Sequence, residues 1–162
     1  MMDALDKQGI IDAIEMAWAE VPYPGDKNIF TPTSYDDEGI TEYFSGTDWR
    51  HHPAEDLRRR CFALSRFFTP PAFHYWLPAY LFAALENPLE FSQGTECLID
   101  SFLPGRVDDL LEKMALLTFD QKLAVIMVFE SLVRTYRDSS YPEDSEDPVN
   151  AFRYLLSTIG VE

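Results

Sequence analysis

The stretch TPPAFHYWLPAYLFAAL, Thr69 to Leu85, places five aromatic side chains and an internal proline in a run with no charged residue. Such a run has to sit in lipid or be buried on most sides by other elements. A spanning helix requires about 20 mostly apolar residues, and this run is interrupted by Thr69-Pro70-Pro71, His74 and Pro78. No membrane span is expected. Thr69 suits the N-cap and Pro70 the first position of a helix. Phe73, Trp76, Leu77, Tyr80, Leu81 and Leu85 then form a wide apolar face, while Ala79, Ala83 and Ala84 let a neighbour approach closely. The stretch is predicted to be the central helix of a bundle, kinked at Pro78 where a backbone donor is missing.

The remaining chain supplies helices to surround it. Ile10, Ile11, Ile14, Ala17 and Trp18 line one stripe of a first amphipathic helix, which VPYPGDKN ends with Pro24-Gly25 in the pattern of a type II turn. Ile40, Tyr43 and Phe44 share a face before Gly46. A third helix is predicted from near Pro53 through Leu57, Cys61, Leu64 and Phe68. Periodicity continues in TECLIDSFL and RVDDLLEKMALL, and TFDQ at 118–121 has the form of a capping box opening KLAVIMVFESLVRTY. Asp147 as N-cap and Pro148 at the first position announce a last helix ending near Gly160. Neither paired strands nor an internal repeat is apparent. The predicted fold is an all-α, single-domain helical bundle of about seven helices around the central aromatic-rich helix, spanning residues 1–162, with an acidic loop at 138–147 before the last helix.

Charge narrows the function classes. The chain has 28 Asp plus Glu against 13 Lys plus Arg, a net charge of −15. That field repels phosphate backbones and anionic lipid, so neither nucleic acid nor membrane is an expected partner, and it speeds encounter with basic proteins. Cys61 and Cys97 sit among apolar neighbours and are expected to be buried free thiols. With acidic residues at the N-terminus where an export signal would be basic, the expected location is the cytoplasm.

Catalytic patterns are weak. His51 and His52 precede Glu55 and Asp56, but adjacent histidines diverge on a helix and no HExxH or ExxH spacing accompanies them. His74, Tyr75 and Tyr80 could line a pocket at the Pro78 kink, with His74 as a base and Tyr80 as a donor. Asp108 and Glu112 share a face that Lys113 marks as solvated. There is no GxSxG elbow and no glycine-rich phosphate loop. No metal, cofactor or catalytic residue is assigned.

Two charge clusters remain. Arg50, Arg58, Arg59, Arg60 and Arg66 gather near one helix. Asp138, Glu143, Asp144, Glu146 and Asp147 form an acidic loop. Together with Asp36, Asp37 and Glu38, and with Tyr141 as an aromatic anchor, Glu143, Asp144 and Glu146 are the candidate partner-binding residues.

VPYPGD (Val21 to Asp26), YFSGTDW (Tyr43 to Trp49), FFTPPAFHYWLPAYLFAAL (Phe67 to Leu85) and LTFDQKLAVIMVFESL (Leu117 to Leu132) occur in that order. In these blocks the chain resembles a family of small uncharacterised bacterial proteins, a domain of unknown function. The resemblance carries no catalytic residue. It implies a small bacterial protein, a setting in which acidic helical proteins serve as immunity partners of toxins. The leading expectation is a non-enzymatic binding protein that neutralises a basic toxin domain. The alternative is an enzyme or small-molecule sensor with its pocket at Pro78.

Overall fold

The computed structural model describes residues 4–30, 39–139 and 146–161. The described residues form nine α-helices: α1 Ala4–Trp18, α2 Ile40–Phe44, α3 Ala54–Arg59, α4 Pro70–Glu86, α5 Pro88–Phe91, α6 Gln93–Asp100, α7 Leu110–Leu116, α8 Phe119–Arg137 and α9 Glu146–Thr158. A 3-10 turn at Asp26–Asn28 and a π-helical turn at Ala63–Phe67 join them. No helix among the described residues is long and apolar enough to cross a membrane.

The all-α bundle is present, and α4 is its centre. Twelve residues of α4 are buried, and α1, α3, α5, α6, α7 and α8 all pack on it. One apolar cluster runs from Ile10 in α1 to Leu155 in α9. Local signals begin the helices as expected. The Thr69 hydroxyl accepts the Ala72 N–H at 3.2 Å with Pro70 following, and Thr118 and Gln121 close both halves of a capping box.

Three local expectations need correction. The segment from Pro53 to Phe68 is not one helix, because α3 stops at Arg60. There the Arg60 carbonyl accepts the buried Tyr80 hydroxyl at 2.8 Å, and the guanidinium lies over the Tyr43 ring at 3.7 Å. Gly25 has the positive φ of 95° that a turn glycine allows, but its ψ of 144° is far from the near-zero value of a type II turn. The last helix begins two residues early, at Glu146 rather than Pro148, with Glu146, Asp147 and Pro148 all in its first turn.

Pro78 lies inside α4 and cannot donate to the carbonyl of His74 four residues before it. A buried carbonyl left without a donor is costly. The indole of Trp18, fully buried at the end of α1, donates to that carbonyl at 2.7 Å. The vacancy that proline creates in one helix thus becomes the attachment point of another.

Around this attachment the sequence blocks that open the chain converge. The Tyr23 ring packs edge-on against Tyr75 and Trp76, at 5.6 and 5.8 Å between centroids. Its hydroxyl donates to the Asp26 carboxylate and accepts the Gly46 N–H at 2.8 Å. Thr69 fixes the same loop by donating its N–H to Ile29 and its hydroxyl to Asn28, at 3.0 and 2.5 Å.

Candidate functional site

The first question is whether His74, Tyr75 and Tyr80 share a pocket. They point to three different elements. His74 Nε2 meets the side-chain oxygen of Gln121 at 2.7 Å, so that nitrogen carries the proton and donates to α8. Gln121, 1% exposed, donates in turn to the Ala17 carbonyl at 3.0 Å. Tyr75 is buried, with its ring edge-on against Tyr23 and Trp76. Tyr80 is buried completely against the Arg60 carbonyl. A recess of about 300 Å³ does lie beside Ala79 and Phe82, next to Pro78, but α1 and residues 49–54 line its other side. None of the three residues lines it.

His52 is equally committed. Thr47 gives its hydroxyl proton to the Phe44 carbonyl at 2.8 Å, so its oxygen accepts from both Trp76 Nε1 at 3.2 Å and His52 Nε2 at 3.1 Å. The other ring nitrogen then accepts the Tyr43 hydroxyl at 2.9 Å. His51 is exposed. Among the described residues no group of three or more His, Cys, Asp or Glu side chains could hold a metal ion.

Burial holds both His52 and His74 below the ordinary imidazole value of 6.5, against nearby Asp48 and Asp56 for His52 and the Gln121 bond for His74. The unfolded chain therefore takes up these protons first on acidification. Their contribution to stability is complete above 6.5 and is lost as pH falls through that value towards the lower folded ones. Urea unfolding at about pH 7 and about pH 5 should show a loss of stability in acid that is smaller in a His52→Asn/His74→Asn variant. Identical pH dependence in the two proteins would contradict these assignments.

Lys113 is the largest departure from the expected surface. Asp108 and Glu112 are exposed as expected, but Lys113 is 1% exposed. Its ammonium pairs with Asp109 at 3.0 Å and lies 4.9 Å from the centroid of the Phe73 ring. Burial lowers its pKa against the pull of Asp109. Residues 110, 113, 114 and 117 occupy one helical stripe, so lysine stands at a core position and buries its long stem. Cys61 and Cys97 are buried free thiols, and the interaction between the two pushes the Cys97 thiol up and the Cys61 thiol down.

The partner-binding candidates stand differently. Asp36, Asp37, Glu38, Tyr141, Glu143 and Asp144 lie outside the described residues. Glu146 is described, and it lines an open recess of about 380 Å³ between α6 and α9. Glu96 and Asp100 come from α6, and Glu146 and Asp147 from the first turn of α9. The helix dipole favours the carboxylates at the start of α9. Arg106, in the turn after α6, reaches Asp100 at 2.7 Å and Asp147 at 3.2 Å and so spans the recess. Burial raises the Asp100 carboxyl above its ordinary value, with Arg106 opposing and Asp147 reinforcing. Glu96 and Glu146 remain exposed at the rim.

Four carboxylates around one guanidinium leave unneutralised negative charge in a concave surface. Such a surface can receive lysine or arginine side chains from another protein. Sequence spacing brought Glu146 and Asp147 forward but not Glu96 and Asp100, which reach the same recess only through the packing of α6 on α9.

No curated protein and no solved structure is significantly similar to the chain. A family model does match, over residues 6–149, which takes in the framework around α4 and the start of α9. The chain belongs to a family of unknown function, DUF6714.

Proposed function

We propose that the chain is a non-enzymatic binding protein that docks a basic protein on the end of the bundle where α6 meets α9. The observation that carries this reading is the gathering of Glu96, Asp100, Glu146 and Asp147 in one recess with Arg106 as its lining cation, on a chain of net charge −15. Glu143 and Asp144 lie within three residues before Glu146 in sequence, separated from it by Ser145, and add to the charge of that segment. Asp36, Asp37 and Glu38 are retained as a second acidic contact, with Tyr141 as an aromatic anchor.

The partner we favour is a basic toxin domain, for which this chain acts as the immunity protein. A field of this sign speeds capture of a basic target, which is what a protein that must block its target on encounter requires. The involvement of His52, His74 and Tyr80 in framework hydrogen bonds weighs in the same direction. Affinity capture from the source cell, with wild type and a Glu96→Lys/Glu146→Lys variant as bait, tests the proposal. A basic protein held at low salt, released at high salt and retained weakly by the variant is the expected result. Equal retention by both baits at every salt concentration would refute the docking surface.

A further inference from the structure

On the opposite side of α9 the chemistry reverses. An open groove of about 640 Å³ runs between α8 and α9. Val133, Phe152 and Leu156 supply its apolar floor, and Arg134, Arg137 and Arg153 line it with them. Three of the chain's 13 basic residues therefore gather along one groove of a strongly acidic protein. Glu130 offsets Arg134 through an ion pair of 2.7 Å. Among the described residues Arg137 and Arg153 make no ion pair, and both are exposed.

The spacing indicates the shape of what fits. Positions 130, 133, 134 and 137 of α8, and 149, 152, 153 and 156 of α9, each follow the i, i+3, i+4, i+7 spacing of one helical face. Two neighbouring helices that present such rows leave a channel between ridges into which a third helix packs. We infer that this groove seats an amphipathic helix of a partner protein whose apolar stripe is flanked by Asp and Glu. The apolar floor takes the stripe, and Arg137 and Arg153 take the carboxylates. The basic partner proposed for the acidic recess has the wrong charge for this groove, so the two surfaces call for partners of opposite character.

The probe is a fluorescently labelled 18-residue helical peptide with leucines at i, i+3, i+4 and i+7 flanked by glutamates, compared with a twin in which every glutamate is lysine. Anisotropy titration should show the acidic peptide binding roughly tenfold or more tighter than the basic twin. Arg137→Glu/Arg153→Glu should remove that preference, whereas Glu96→Lys/Glu146→Lys should leave it in place. Because Arg137 and Arg153 are exposed, circular dichroism of the variant should match wild type. Absence of binding, equal binding of the two peptides, or an unchanged preference in the arginine variant would overturn the inference. So would a self-associated chain, seen by sedimentation, that the acidic peptide fails to dissociate.

Discussion

Replacing Gln121 by leucine should cost the fold about 3 kcal/mol, as three polar groups lose their partner at once and each orphan left buried costs about 1–3 kcal/mol. His74 Nε2–H loses its acceptor and the Ala17 carbonyl loses its donor. The Thr118 N–H, held by the same side-chain oxygen at 3.0 Å, loses its half of the capping box as well. Leucine nearly matches glutamine in volume, so the loss measures bonding rather than a cavity. Urea unfolding should show a lower midpoint with an unchanged slope. A Gln121→Leu protein within about 0.5 kcal/mol of wild type would mean that these bonds do not join α1, α4 and α8.

Trp18→Phe should be the other severe change, and its severity should depend on Pro78. Phenylalanine keeps most of the apolar volume but leaves the His74 carbonyl without a donor, for a cost of about 2 kcal/mol. In a Pro78→Ala background the alanine N–H becomes available to that carbonyl, the ordinary partner four residues back in a helix. The same tryptophan substitution should then cost clearly less, and a double-mutant cycle should report a coupling of about 1 kcal/mol. An additive cycle would show that Trp18 stabilises by packing alone.

These two positions also show what was legible in the sequence. Thr69 with Pro70, and Thr118 with Gln121, announce helix starts through contacts at fixed short offsets, and both caps are present. Pro78 likewise announces a carbonyl without its usual donor. The sequence does not say which group will fill that vacancy, because Trp18 lies 56 residues before His74 along the chain. The early end of α3 was hidden for the same reason. At that end the Arg60 carbonyl accepts the hydroxyl of Tyr80, 20 residues away along the chain.

Lys113 was obscured by a different rule. A periodicity analysis that counts lysine as polar places it at the surface, yet Leu110, Lys113, Met114 and Leu117 fall on one stripe and all four are buried. Asp109 four residues earlier is the signal that could have marked it, since a paired ammonium on an apolar stem can enter a core position. For the candidate site, composition gave the sign of the charge and Glu146 gave one rim residue. Glu96, Asp100 and Arg106 joined it only through the docking of α6 on α9.

The central claim is that the acidic end of the bundle steers a basic partner into place. Its most direct test is the association rate of the captured partner as a function of ionic strength, for wild type and for Glu96→Lys/Glu146→Lys. Steered association is fast at low salt and falls steeply as the charges are screened, over a Debye length of about 10 Å at 0.1 M. We expect that fall for wild type, and a slower rate with a shallower salt dependence for the variant. An association rate independent of salt, or equal for the two proteins, would contradict the claim.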